Sequence, residues 1–386
     1  MQFSKRLDNI GVEVFSALND RRRELEAAGR EVIDLSVGTP DFEPPAHVMN
    51  ALVEAAKDPN NWKYALRDLD ELTQAVIDYY ADRFGVTGLA PSQIMSVNGT
   101  QEGMGRMASA ILDEGDLVLV PDPCYPLFRS AAVITGAELY YYPLTAEHNF
   151  LPYVADIPDE VADRAKYMVV SLPANPVGSV GTRTNYAEII AFAKAHDILV
   201  VHDNAYSDII FDGKHGHSFF ESEGADEVGV EFFSLSKSFN VTGARISFLI
   251  GRQDVIDATR RVRSQCDYGM FLPIQHAAIA ALTGPREQVR AQEKLYEERR
   301  DAISDGLEAI GWDRPNCHGS MFVWARLPHG RMDSINFVLE ALEKAGVLMT
   351  PGKSFGPAGE GFVRIALTQP PEVLRRAAEL LGEAGL

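Results

Sequence analysis

The sequence predicts an α/β fold, with a mostly parallel central sheet in a large domain and a smaller α+β domain after it. Three observations carry this reading. Short, nearly continuous apolar runs alternate with amphipathic helical stretches over the first two thirds of the chain. Fully apolar strands between helices belong to a parallel sheet covered on both faces. The 386 residues exceed one ordinary domain of roughly 150, and the pattern changes after the turn-forming cluster Leu282-Thr283-Gly284-Pro285.

Each element follows from its local pattern. Asp116–Val120 reads as a buried strand, bounded by Gly115 and by Pro121-Asp122-Pro123. Tyr167–Leu172 is a second, stopped by Pro173, and Ile198–His202, Glu231–Leu235 and Ile246–Ile250 are three more. Tyr186–His196 places Ile189, Ile190, Phe192 and Ala193 on one helical face. Beyond the turn cluster, Gln288–Leu307 is a charged helix and Asp333–Ala345 an amphipathic one. Ser320–Ala325 and Phe362–Leu367 are strand candidates there. The expected division is an N-terminal segment, 1–48, packing with the small domain, then a large domain, 49–283, and the small domain, 284–386.

Hydrophobic residues at 46% and charged residues at 24% give a folded, soluble composition and exclude a disordered chain. With 36 Lys and Arg against 55 Asp and Glu, the net charge is −19. Such a surface repels phosphate backbones and anionic lipid, so neither nucleic acid nor membrane is expected as a partner. A small anionic ligand in a locally positive pocket remains compatible. Cys124, Cys266 and Cys317 show neither disulfide nor zinc spacing, which fits the cytoplasm. The nine histidines show no His-x-x-x-His pattern, so no metal is expected. Met1–Asp8 lacks the apolar run of a secretory leader, and no stretch reaches the ~20 apolar residues of a membrane span.

Ligands of parallel sheets bind beyond the carboxyl ends of the strands, so the residues after each apolar run carry the functional reading. After Val97 comes Asn98-Gly99-Thr100-Gln101, a glycine turn opening a helix, which favours a phosphate. After Leu172 comes Pro173-Ala174-Asn175-Pro176, an amide in a rigid turn. After Val201 come Asp203 and Tyr206, an acid and a phenol leaving a buried strand together. After Phe233 come Ser234, Ser236 and Lys237, with Arg245 eight residues further on. Each turn alone is weak. One ligand explains all four ends, pyridoxal 5′-phosphate, which needs an amine, a carboxylate for its ring nitrogen, donors for its 3′-oxygen and a phosphate cradle. Lys237 supplies the amine and Asp203 the carboxylate. Asn175 and Tyr206 reach the 3′-oxygen, and Gly99, Thr100, Ser234, Ser236 and Arg245 hold the phosphate.

These stretches make the chain resemble the fold-type I, pyridoxal-phosphate-dependent aminotransferases of class I/II over essentially its whole length. Val37-Gly38-Thr39-Pro40-Asp41 and Phe362–Thr368 add to the likeness. The resemblance implies that Lys237 binds the cofactor and moves the proton, with Asp203 and Tyr206 beside it as catalytic residues. It implies that Gln101 joins the cofactor contacts and that Tyr125 stacks on the ring. Arg364 grips the substrate α-carboxylate, with Gly38 and Asn175 next to it. Tyr64 of a neighbouring subunit reaches the phosphate, so the implied assembly is a homodimer with shared active sites.

Within the family the chain is similar to the LL-diaminopimelate aminotransferase-like subgroup, in Ser218–Gly251, Ile274–Pro285 and Gly346–Gly361. It carries Ala244 and Ser247 where that subgroup usually has Trp and Gly. The implied activity is transfer of an amino group between an L-amino acid and a 2-oxo acid, 2-oxoglutarate or pyruvate. A carbon–sulfur β-lyase on the same fold is the alternative. A non-enzymatic, regulator-like role is disfavoured by the net charge and by Lys237.

Overall fold

The computed structural model describes residues 1–9 and 15–386; residues 10–14 of the expected N-terminal segment lie outside the described residues. In chain order the strands are β1 (Ile33–Asp34), β2 (Ile94–Val97), β3 (Leu117–Asp122), β4 (Glu138–Pro143), β5 (Ala165–Ser171), β6 (Leu199–Asn204), β7 (Gly229–Ser234), β8 (Ser247–Gly251), β9 (Phe322–Arg326), β10 (Val347–Leu348), β11 (Thr350–Pro351) and β12 (Phe362–Ala366). Seven of them form one sheet in the order β2-β8-β7-β6-β5-β3-β4. Three more form a second sheet, β11-β12-β9, and β1 pairs with β10.

The large sheet is parallel from β4 through β7, and only β8 runs against its neighbours β2 and β7. The sequence pattern does not distinguish β8 from the rest, because all are apolar. Its direction follows from its connection. A parallel crossover carries a full helix over one face, whereas Leu235 to Ile246 holds only the short turns Leu235–Ser238 and Thr242–Ala244. The carboxyl ends of β2, β3, β5, β6 and β7 therefore share one edge. β4 and β5 lie on opposite sides of β3, the switch point where such sheets bind ligands.

Three of the boundaries that differ from the sequence reading have clear local reasons. β6 continues to Asn204, since His202 and Asp203 pair with β5 and β7 despite their polarity. β3 continues through Pro121 and Asp122; its pairing with β5 stops at Leu119, so the proline interrupts no bond on that side. The helix after β5 starts at Arg183, where Thr182 and Asn185 exchange hydrogen bonds in a capping box.

Burial on both faces follows from the pleat, since successive side chains point to opposite sides. Val201 and Phe232 join Met104, Met107 and Phe128 on one face, while Val200 and Val170 join Tyr186, Ile189 and Ile190 on the other. Around the second sheet a further core unites Leu18, Leu25 and Leu35 with Leu307, Phe337, Ile365 and Leu374. Tyr206 and Phe211, which follow β6, share that core. This contact brings β12 over the ligand edge of the large sheet.

Phe232, central and fully buried, tests this packing. Phe232→Ala is expected to cost about 3–5 kcal/mol of folding stability, read from the chemical unfolding midpoint; a loss well under 1 kcal/mol would contradict the assigned core.

Candidate active site

A cleft of about 380 Å³ opens at the carboxyl edge, and every turn singled out in the sequence contributes to its lining. On its β2 side, Gly99 caps the helix Thr100–Ile111 at φ 85°. A Cβ there would meet the Arg245 guanidinium at 2.1 Å, and the positive φ itself favours glycine at this approach. Arg245 is held by its bond from Nη1 to the Thr242 carbonyl at 3.0 Å. A hydroxyl chain backs the same corner. Thr100 Oγ1 lies 3.3 Å from Ser247 Oγ, Ser247 Oγ donates to Ser234 Oγ at 3.0 Å, and the Ser236 amide donates to Ser234 Oγ at 3.2 Å. Free helix N–H groups, hydroxyls and a guanidinium thus converge where an anion would sit.

Lys237 lies in the short helix Leu235–Ser238, directly after β7. Its Nζ donates to the Gly38 carbonyl at 2.8 Å. Burial, and then the Arg364 and Arg245 charges, bring its pKa down to about 8, against the pull of Asp203. Roughly a tenth of the amine is therefore neutral at pH 7, far more than for an ordinary lysine.

Asp203 pairs with Ser171 and Phe232 inside the sheet and is 6% exposed. Its Oδ1 has no hydrogen-bond partner among the described residues. Burial raises its pKa to about 6, opposed chiefly by His202. Behind it, His202 Nδ1 meets Glu231 Oε2 at 2.8 Å and its Nε2 meets the Leu172 carbonyl at 3.1 Å. Glu231 also accepts from Tyr80 Oη at 2.5 Å, Ser218 Oγ at 3.0 Å and the Phe219 amide at 2.7 Å. Burial alone would raise the Glu231 pKa; these donors, His202 first, bring it below the usual range. The sequence reading passed over this fully buried pair because its two members lie on different strands.

Arg364, on β12, enters from the second sheet. Its Nη1 donates to Asn175 Oδ1 at 3.2 Å and its Nη2 to the Ser36 carbonyl at 3.0 Å. The guanidinium lies 4.0 Å from the Phe322 ring centroid and 4.7 Å from that of Phe355. Its Nε has no partner among the described residues, and burial lowers its pKa to about 10. Phe322 is the main lining residue that the sequence did not single out. It packs within 2.8 Å of where a Cβ on Gly38 would stand, so Gly38 and Phe322 interlock beneath the arginine.

Tyr125, Tyr206 and Asn175 line the same cleft, as does Gln101. Burial pushes the Tyr206 phenol well above its usual pKa. Cys124 is buried and its thiol is pushed up to about 12, so it is a filler and not a nucleophile. Tyr64 stands apart. It is 76% exposed, packs on Tyr268 at 4.9 Å between ring centroids, and does not line the cleft of its own chain.

These residues fit pyridoxal phosphate by their own chemistry. A buried carboxylate with Oδ1 unpartnered among the described residues suits a protonated ring nitrogen. An amine whose pKa burial has lowered suits an aldehyde, and the glycine-built corner suits a phosphate.

Comparison with known proteins agrees with that fit. The family model "Aminotransferase class I and II" matches residues 30–381. The LL-diaminopimelate aminotransferase of Moorella thermoacetica is 40% identical over 99% of this chain and 98% of its own length. Among solved structures, substrate-bound BacF from Bacillus subtilis superposes with a TM-score of 0.93 at 33% identity, covering 99% of this chain and 98% of that one. A probable N-succinyldiaminopimelate aminotransferase from Thermus thermophilus gives 0.91 at 32% identity, covering 96% and 100%.

The Asp203 environment has a consequence for stability. Its folded pKa of about 6 exceeds the ordinary 3.8, so between these values the folded chain binds more protons than the unfolded one. Stability contributed by this group therefore falls as pH rises through that window, and the penalty is complete above it. The cofactor-free Asp203→Asn variant is expected to unfold at higher denaturant concentration than the parent at neutral pH. That advantage should vanish below about pH 4. An Asn variant less stable than the parent at neutral pH would refute an uncompensated buried charge.

Proposed function

The chain belongs to the class I and II aminotransferases, enzymes dependent on pyridoxal 5′-phosphate, and we propose that the cleft beyond β2, β6 and β7 is where it exchanges amino groups between a small L-amino acid and 2-oxoglutarate or pyruvate. The observation that carries this reading is the convergence of Lys237, Asp203 and Arg364 in one cleft. When bound, the cofactor supplies an aldehyde for amines and a cationic ring that accepts the electron pair left at the substrate α-carbon.

The side chains divide the remaining work. Gly99, Thr100, Ser234, Ser236 and Arg245 would hold the phosphate, and Asp203 the ring nitrogen. Tyr125 would cover one ring face, while Asn175 and Tyr206 would meet the 3′-oxygen. Arg364 presents a planar fork that matches an α-carboxylate, and its unpartnered Nε suits that task. The Nζ of Lys237, with its depressed pKa, would take the proton from the substrate α-carbon and return it to the cofactor side. We assign residues 49–283 to a cofactor-binding domain, and 284–386 with 1–48 to a smaller one that delivers Arg364.

Diaminopimelate is the first donor to test, because the curated relatives carry that name. Those names leave the β-lyase reading without support. We further infer a cytoplasmic homodimer. Trp62, Tyr64, Leu66 and Tyr268 stand 67%, 76%, 74% and 61% exposed in the single chain, and a second copy would cover such a patch. Tyr64 would then enter the neighbour's phosphate corner.

Two experiments test these assignments. In a half-reaction screen, an amino donor is expected to convert the protein-bound cofactor spectrum to that of pyridoxamine phosphate. Lys237→Ala should abolish that response and lower turnover by about 10³-fold or more; a variant keeping both would remove the lysine from the mechanism. Mixed dimers of Lys237→Ala and Tyr64→Ala chains should regain activity, since one site per dimer then has both groups. Failure of exchanged mixtures to recover would refute the shared site.

A further inference from the structure

We propose that His215, His217 and Glu221, on the segment between β6 and β7, form a binding site for a divalent transition-metal ion such as Zn²⁺. None of the three lines the catalytic cleft. One ligand atom from each lies within 4.8 Å of the other two. Two ligands on one tetrahedral zinc stand roughly 3.4 Å apart, so closing the site takes shifts of about an ångström.

The donor set is that of a zinc site with three protein ligands and a fourth position left to water. Its parts are held in advance. The Glu221 side chain is 4% exposed and the His217 side chain 15%, with His217 Nδ1 2.8 Å from Glu221 Oε2. The other carboxylate oxygen accepts from the Ser218 amide at 2.9 Å. His215 Nε2 stands 3.8 Å from that oxygen, and its ring is 51% exposed, which leaves the open position facing solvent. Gly216 separates the two rings, which meet edge to face with centroids 4.7 Å apart. A Cβ at Gly216 would meet the Ser207 carbonyl at 2.1 Å, so this His-Gly-His turn is pressed against the chain leaving β6.

Nearby cations oppose binding. Arg183 reaches to 3.7 Å from Glu221, and Arg83 and Lys214 lie close to His215. Arg183 is 76% exposed and free to turn outward.

The expected effect is structural. Asn204 Nδ2 donates to the His217 carbonyl at 3.2 Å, and Ser218 Oγ donates to Glu231. The metal would therefore staple a loop that leans on the strand carrying Asp203. The sequence reading looked for His-x-x-x-His; here the third ligand comes from the next turn, four residues after His217.

The test is titration of chelator-treated, cofactor-loaded protein with Co²⁺, followed by visible absorption and bound-metal analysis. One Co²⁺ per chain, with the intense visible bands of a four-coordinate site and displacement by Zn²⁺, is expected. His215→Ala, at a half-exposed position, and Glu221→Gln, which keeps the carbonyl acceptor, should each weaken binding at least tenfold with an unchanged circular dichroism spectrum. Equal Co²⁺ affinity in His215→Ala and the parent, or no saturable binding by the parent, would overturn the proposal.

Discussion

A carboxylate buried at the floor of the cleft, with one oxygen unpaired among the described residues, is the constraint on which the rest of the site depends. Asp203 sits in the middle of a seven-stranded sheet, between two hydrogen-bonded neighbours. Burying such a charge costs several kcal/mol unless a cation joins it. The apolar sheet therefore carries a built-in demand for a cationic ligand at its carboxyl edge. The same low dielectric depresses the Lys237 amine and sharpens its reactivity. One burial term thus prepares both a charge that wants a partner and a base that is ready to act.

The architecture makes that burial possible. Strands β4 through β7 run parallel, so their ends deliver different chemistry to one edge: an amide after β5, an acid on β6, a lysine after β7. The reversed β8 closes the sheet towards β2 and places Ser247 where its hydroxyl joins Ser234 and Thr100. The second sheet supplies what the first lacks. Arg364 reaches Asn175 across the cleft, and its guanidinium is clamped between Phe322 and Phe355. A buried guanidinium whose Nε has no partner among the described residues mirrors Asp203: each carries a desolvation cost that a bound counter-charge offsets.

Much of this was legible one strand at a time. Asp203, Lys237 and Asn175 announce themselves because they follow apolar runs, and a polar residue at such a place needs a reason. Gly99 and Arg245 were legible as a turn and a cation, but not as the interlocked pair they form, since their contact spans more than a hundred residues of chain. His202 and Glu231 were passed over. Each looks like an ordinary strand residue until the register sets them side by side. Phe322 likewise reads as core, and only the crossing of the two sheets puts it under Arg364. The grouping of His215, His217 and Glu221 depends on a turn whose geometry no spacing rule encodes.

The sequence by itself determined the strand and helix pattern, the acidic surface, the family likeness and the residue types at each strand end, because these are local consequences of periodicity and turn chemistry. Tertiary structure alone decided the direction of β8, the boundaries of β3 and β6, the mate of each buried charge and the side of the molecule on which Tyr64 stands. Those depend on hydrogen-bond register and on contacts between distant segments. Their free energy arises only when the chain has closed on itself.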